Sequence, residues 1–231
     1  MAKERLQKLI SSAGICSRRK AEELIRQGKV VVNQKIARLG DKAELEKDLV
    51  VVEGKPLIIE RKRYFIFYKP KGYTTTLEDP YERKIITNII RIKERVYPVG
   101  RLDKDSEGLL LLTNDGEFAN RVMHPKYEIC KTYYIRVSKP MKKEHLKEIE
   151  RGLKIEGKKT NPAKIRQLSL KEFELAIHEG RNRIIRKMLE KLGYAVEKLV
   201  RIAIGKLSLD RLEPKQYREL NKKEISMVFA K

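Results

Sequence analysis

Cysteine and histidine are scarce in this chain, and long apolar runs are missing. Only Cys16 and Cys130 occur in 231 residues. They lie far apart without CxxC spacing, so neither a disulfide framework nor a zinc site is expected. The three histidines, His124, His145 and His178, lack metal-ligand spacing, and there is no glycine-rich phosphate loop. The expectation is a protein with no metal and no small-molecule cofactor. No stretch of 18 apolar residues is present, and the first residues carry no signal pattern, which speaks against the membrane and for the cytoplasm. Internal repeats and low-complexity segments are absent as well. Acid is outnumbered by base, 32 Asp and Glu against 54 Lys and Arg, for a net charge of +22 and a pI of about 9.9. So large an excess is out of place on a metabolic enzyme and calls for a polyanionic partner, RNA by default.

The basic charge runs through both parts of the chain. Residues 1–60 carry 13 basic against 9 acidic side chains, and residues 61–231 carry 41 against 23. The charged LIIERKRY stretch between two apolar runs marks a boundary near 58–63, giving a small domain over 1–60 and a medium one over 61–231. In the first, Leu6, Leu9 and Ile10 recur at helical spacing up to Gly14. A second helix starts at an N-cap, Ser17, carries the stripe Ala21, Leu24 and Ile25, and stops at Gly28 before a strand at Val30–Val32. Arg18, Arg19 and Lys20 fill its first turn. Cations there oppose the helix dipole by up to about 1 kcal/mol, so stability does not account for them. A phosphate at the exposed amides does, with Arg5 and Lys8 from the first helix extending the grip. A solvated basic face is the plainer alternative.

In the second part, YFIFY (64–68), LLLLT (109–113), TYYIRV (132–137), FELAIH (173–178) and LVRIAIG (199–205) read as strands. One clear helix runs from about Asn182 to Leu192, with Ile185, Met188, Leu189 and Leu192 on its apolar face. Strands interrupted irregularly by helices imply an α+β domain on a mixed, mostly antiparallel sheet. The run from Leu109 to Leu112 reads as a strand buried on both faces and closed by the turn Asn114, Asp115, Gly116. It follows GRLDKDSEG, so Asp103 is delivered to the rim of a core beside Arg101. Asp103, Asp105, Glu107 and Gly108 match positions 1, 3, 5 and 6 of a calcium-binding EF-hand loop. The match fails at the twelfth position, Asn114, where that loop needs a Glu. A surface ion pair between Arg101 and Asp103 remains open on spacing alone.

GRLD followed by SEGLLLLTNDG resembles the catalytic signature of the RNA pseudouridine synthases, in the branch that modifies bacterial ribosomal RNA. The likeness continues through FYKPKGY (67–73), ANRVMHP (119–125), KTYYIRV (131–137) and EGRNRIIRKM (179–188). Residues 3–42 resemble the S4 RNA-binding domain that this branch carries in front, and the S4 and EGRNR segments look closest to its large-subunit type. Ser106 stands where many members have Thr. The resemblance implies an active site in a basic cleft across the sheet, with the nucleophilic role on Asp103 and the active-site tyrosine at Tyr133. It also implies an arginine partner for Asp103 at Arg186 and an apolar wall for the target base at Leu199.

Physical chemistry fits those roles. Desolvation favours a neutral carboxyl, so a nucleophilic Asp103 needs a guanidinium beside it to stay charged. Tyr133 can stack on uracil and help remove the C5 proton, while Tyr134 faces the other way as an ordinary strand aromatic. A uridine must leave its stack at a cost of a few kcal/mol, and Arg101, on the same side of a strand as Asp103, can fill the gap. Arg181, Arg183 and Lys187 read as phosphate contacts on the helix that holds Arg186. His124 and His178 read as structural or RNA-facing. The expected partner is a stem-loop of large-subunit rRNA, with small-subunit rRNA as the alternative, and nothing requires a partner subunit, so a monomer is expected. Two other classes stay open: a non-catalytic S4-type ribosome-assembly factor, which leaves these motifs idle, and a nucleosidase pairing Asp103 with Glu107.

Overall fold

The computed structural model describes residues 3–81 and 83–230. Their backbone gathers into two compact units. One takes the chain up to Arg63 with two short later stretches, 92–96 and 114–116, which a single cut in the sequence does not anticipate. The other holds the remainder.

The first unit opens with β1 (Glu4–Arg5), α1 (Leu6–Ser12) and α2 (Arg18–Arg26), followed by β2 (Val30–Val32), β3 (Lys35–Ile36), β4 (Lys42–Ala43), β5 (Val50–Val52) and β6 (Lys55–Pro56). The Ser17 side chain caps α2 by accepting from the Lys20 amide at 3.3 Å, as its hydroxyl and position require. Strands β2 and β5 pair valine on valine, Val30 opposite Val52 and Val32 opposite Val50, within a sheet ordered β3-β2-β5-β6. Leu6, Leu9 and Ile10 of α1 meet Ala21, Leu24 and Ile25 of α2 over these valines, so the apolar stripes close one small core.

The second unit contains β7 (Tyr64–Lys69), β8 (Tyr97–Val99), β9 (Glu107–Thr113), α3 (Gly116–Met123), β10 (Lys131–Val137), α4 (Lys143–Arg151), β11 (Lys154–Ile155) and β12 (Lys158–Lys159). It continues with β13 (Lys164–Gln167), β14 (Glu172–Ile177), α5 (Ile184–Lys191), β15 (Val196–Ile204), β16 (Leu207–Ser208), β17 (Tyr217–Glu219) and α6 (Lys222–Met227). Among the described residues its main sheet has nine strands, ordered β13-β14-β10-β15-β9-β7-β17, with β8 on β9 and β16 on β15. The pairing of β9 with β15 is parallel and the other pairs are antiparallel, so the sheet is mixed and mostly antiparallel.

Each face of this sheet carries its own core. On one, Ile184, Ile185, Met188 and Leu189 of α5 and Leu146 and Ile149 of α4 cover Ile135, Leu175 and Leu199. On the other, Phe118, Ala119 and Val122 of α3 cover Ile66, Leu109, Leu111 and Val200. Leu109 to Leu112 are at most 1% exposed, the two-faced burial that their uninterrupted run demands. The sequence expectation differs from the structure at two places that matter for the site. Helix α5 begins at Ile184, after Arg183 in a left-handed conformation (φ 52°), so Arg181 and Arg183 lie on the loop before it and only Lys187 shares the helix with Arg186. The Arg101–Asp103 segment is no strand; it is irregular chain between β8 and β9, held by side-chain bonds rather than by a ladder.

Candidate active site

A cleft of about 710 Å³ lies within the second unit, walled by the 99–106 segment, β10, β15 and the loop leading into α5. Three buried groups fix its first wall. Thr75 Oγ1 donates to the Leu102 carbonyl (2.7 Å) and accepts from the Leu102 amide (3.2 Å), which pins the residue before Asp103. Lys69, at 0% exposure, donates its ammonium to the carbonyls of Ser106 (2.8 Å), Asp103 (3.0 Å) and Pro70 (3.2 Å). Burial pushes this ammonium down to about 8, against the pull of Asp103, Asp105 and Glu107. A charge held this deep is tolerable because three carbonyl dipoles converge on it. The Ser106 amide closes the turn on the Asp103 carbonyl at 3.1 Å, and the Asp103 side chain stays about one-third exposed in the cleft.

That turn decides which acid meets which arginine. It carries Asp105 to the start of α5, where Arg183 grips the carboxylate with both terminal nitrogens (2.9 and 3.2 Å) and Arg186 Nε lies 3.3 Å away. Arg186 also donates to the Asp105 carbonyl at 2.9 Å. Asp103 has the Arg183 guanidinium at 3.9 Å. The sequence reading put Arg186 against Asp103; in the structure Arg186 holds Asp105, and Arg183, read as a phosphate contact, is the cation facing both acids. Burial raises the Asp105 carboxyl, but the Arg183 hydrogen bond and the charges of Arg186 and Arg183 outweigh it and hold the group below the usual carboxylate range.

The second wall is one face of the sheet. Tyr133 on β10 stands opposite Arg201 on β15, and Ile135 opposite Leu199. Tyr133, Leu199 and Arg201 all line the cleft, whereas Tyr134 packs into the core of the other face, as strand alternation requires. Leu199 is 6% exposed and Arg201 only 3%. Gly108 makes the junction with β9 possible. It has φ +111°, and a Cβ there would collide with the Arg201 backbone nitrogen and oxygen. Arg201 Nε then donates to the Leu109 carbonyl at 2.6 Å.

The remaining sequence candidates are spread out. Arg101 is exposed and lines the cleft. Arg181 also lines it, tied to Glu179 at 2.7 Å, while Lys187 pairs with Glu156 at 2.6 Å. In the first unit Arg5, Arg18 and Arg19 are exposed without an ion pair among the described residues, whereas Lys20 pairs with Glu23 at 2.8 Å and Lys8 with Glu4. His124 Nδ1 accepts from the Lys126 amide at 3.2 Å, and His178 Nδ1 donates to the Glu128 carbonyl at 2.6 Å, so both shape loops at the rim of the cleft. Glu107 does not line the cleft and faces Lys198 at 3.9 Å, which removes the carboxylate pair that a nucleosidase needs. Sequence reasoning gave no role to Lys69, Asp105, Lys131 or Arg201. The readable signal for Lys69, Lys131 and Arg201 was a cation adjoining or interrupting an apolar or aromatic stretch of strand.

Comparison with known proteins agrees along the whole chain. Residues 63–191 match the RNA pseudouridylate synthase family, and residues 4–50 match the S4 domain. The ribosomal large subunit pseudouridine synthase B of Bacillus subtilis is 48% identical over 98% of this chain and 96% of its own length. The dual-specificity RNA pseudouridine synthase RluF of Escherichia coli is 37% identical over 97% of this chain and 78% of its own. A crystal structure of a pseudouridylate synthase superposes with a TM-score of 0.73 at 31% identity, covering 97% of this chain and 99% of that one.

Proposed function

Because the chain belongs to the RNA pseudouridylate synthase family and carries an S4 domain, we propose that it isomerises one uridine to pseudouridine in a stem-loop of large-subunit ribosomal RNA, with Asp103 as nucleophile. In this reading residues 1–60 grip RNA, residues 61–231 carry the chemistry, and the protein acts as a cytoplasmic monomer. The observation that carries it is the convergence of Asp103, Tyr133 and Leu199, from three separate stretches of chain, on one cleft of about 710 Å³. The 48% identity to an enzyme named for the large subunit supports the choice of RNA.

The reaction breaks the N1–C1′ bond, turns the base and forms the C5–C1′ bond, while C5 gives up a proton and N1 takes one up. It is redox-neutral, and what it asks of the protein is position and charge. The flipped uracil lies against Leu199 and the Tyr133 ring, which exclude water from the reacting face. Asp103 is presented to the target nucleotide from a main chain that Lys69 and Thr75 hold in place, so little reorganisation is left to the moment of reaction. Arg183 sets a positive charge 3.9 Å from the Asp103 carboxylate, and Arg186 supports the arrangement through Asp105. The Tyr133 hydroxyl takes part in removal of the C5 proton, and the exposed Arg101 stacks in the space the base vacated.

Tritium release from 5-³H-uridine transcripts of both rRNAs tests this. Release from the large-subunit transcript, reduced at least about 1000-fold in Asp103→Asn with RNA binding retained, is the expected result. Undiminished release by Asp103→Asn overturns the nucleophile, and release from the small-subunit transcript alone reassigns the target.

A further inference from the structure

Two cations in the cleft are left over by this mechanism. Arg201 is 97% buried and satisfies its Nε on the Leu109 carbonyl, yet its Nη2 is buried with no hydrogen-bond partner. Lys131 lies two residues before Tyr133 on β10, also lines the cleft, and directs its ammonium to the Ile129 carbonyl at 3.3 Å. Neither forms an ion pair among the described residues, in a cleft whose Arg181, Arg183 and Arg186 do, while Arg101, also without one among the described residues, is exposed to water. Burial and the nearby Arg201 charge push the Lys131 ammonium down to about 8. A buried guanidinium beside a partly buried ammonium, with no counter-ion among the described residues, destabilises the fold. Fold stability therefore does not account for the pair, and a ligand must.

The ligand's chemistry follows from the groups. A neutral carbonyl would satisfy the Nη2 proton but leave both positive charges uncompensated. A phosphate satisfies the donor and the charge, and a guanidinium beside an ammonium is well matched to it. Arg201 stands directly opposite Tyr133 on the neighbouring strand, the two backbones about one strand spacing (~5 Å) apart, and both residues line the cleft in which the base would stack. That is the reach from a nucleobase to its own backbone. Resting on the isomerase reading above, we propose that Lys131 and Arg201 form a phosphate subsite that grips the backbone of the flipped uridine, so that the cleft recognises a nucleotide rather than a nucleoside.

The test compares uridine, uridine 3′,5′-bisphosphate and inorganic phosphate binding to the full-length protein by calorimetry. The bisphosphate is expected to bind at least about tenfold tighter than uridine. That ratio should fall to near one in Lys131→Met, with uridine affinity unchanged. Arg201→Lys keeps the charge but loses the fork, and should lower the ratio severalfold. Lys171→Met, which removes an exposed lysine outside the cleft, should leave the ratio intact. Equal affinities for bisphosphate and uridine in the wild type overturn the subsite, as does an equal loss in Lys171→Met, which would mark a general charge effect. Inorganic phosphate binding as tightly as the bisphosphate would overturn recognition of the nucleotide and leave a free-anion site. Tritium release separates this from the parent reading: normal release with a ratio of one removes only the subsite, and no release with a high ratio removes only the isomerase.

Discussion

The cations of the two units are handled in opposite ways. At the start of α2, Arg18 and Arg19 stand exposed, with no ion pair among the described residues. In the catalytic unit, Lys69 and Arg201 are buried against backbone carbonyls, and Arg183 and Arg186 are tied to Asp105. An exposed charge attracts a polyanion from a distance, gives way to salt and orients nothing. A buried charge is insulated from salt and fixes the groups around it. The contrast assigns affinity to the first set and geometry to the second, and substitutions in the two sets should therefore fail differently.

The largest effect is expected where the geometry depends on the backbone. Gly108→Ala places a methyl group against the Arg201 main chain at a φ of +111°, and no flexible side chain can yield there. A loss of about 3 kcal/mol or more is expected, seen as a drop in thermal midpoint of the catalytic unit. A variant of wild-type stability would mean that β9 and β15 can separate and that the Arg201 bond to Leu109 does not hold them together.

Lys69→Met comes next. It strands three buried carbonyls and should cost about 3 kcal/mol. The pH dependence has a definite sign. The native ammonium is lowered to about 8 while the unfolded one titrates near its ordinary value, so between the two the unfolded state binds more protons and stability rises with pH. The gap in unfolding free energy between wild type and Lys69→Met should therefore widen from pH 8 to pH 10. A gap that narrows would show that Lys69 contributes chiefly as a cation.

These residues also mark where sequence reading stops. The five strands, the Ser17 cap and the doubly buried leucine run were legible because each follows from local periodicity or a single hydrogen bond. Tyr133 and Leu199 were legible through motif resemblance, and strand alternation then separates Tyr133 from Tyr134. The pairing of Arg186 with Asp105 was not, since it depends on a turn closed between Ser106 and Asp103 and on the left-handed Arg183 that starts α5. Lys69, Lys131 and Arg201 were passed over because lysine and arginine are expected outside, and only the sheet's tertiary pairing puts them inside.

Asp105→Asn tests that corrected pairing. Its carboxylate is 39% exposed, so the stability cost should be about 1 kcal/mol or less, present near neutrality and lost as pH falls through its depressed value. Turnover should fall about tenfold, because Arg183 and Arg186 lose the acid that aims them. The retained fraction is diagnostic: a loss as complete as that of Asp103→Asn would exchange the roles of the two acids.

The smallest effect belongs to the exposed set. Replacing Arg18 and Arg19 together by Ala should leave the folded state and turnover at saturating RNA unchanged, since neither side chain makes an ion pair among the described residues. RNA affinity should fall severalfold at low salt, and the slope of log affinity against log salt should shrink by about 1.5, the value for two lost phosphate contacts. Lys20→Ala should shift the slope less, because its ammonium already has the Glu23 carboxylate at 2.8 Å. If all three changed the slope equally, the Lys20–Glu23 pair would have to open on RNA binding. If none changed it, α2 would be a solvated face, and the electrostatic grip would have to come from the catalytic unit, where the basic residues outnumber the acidic ones by far more.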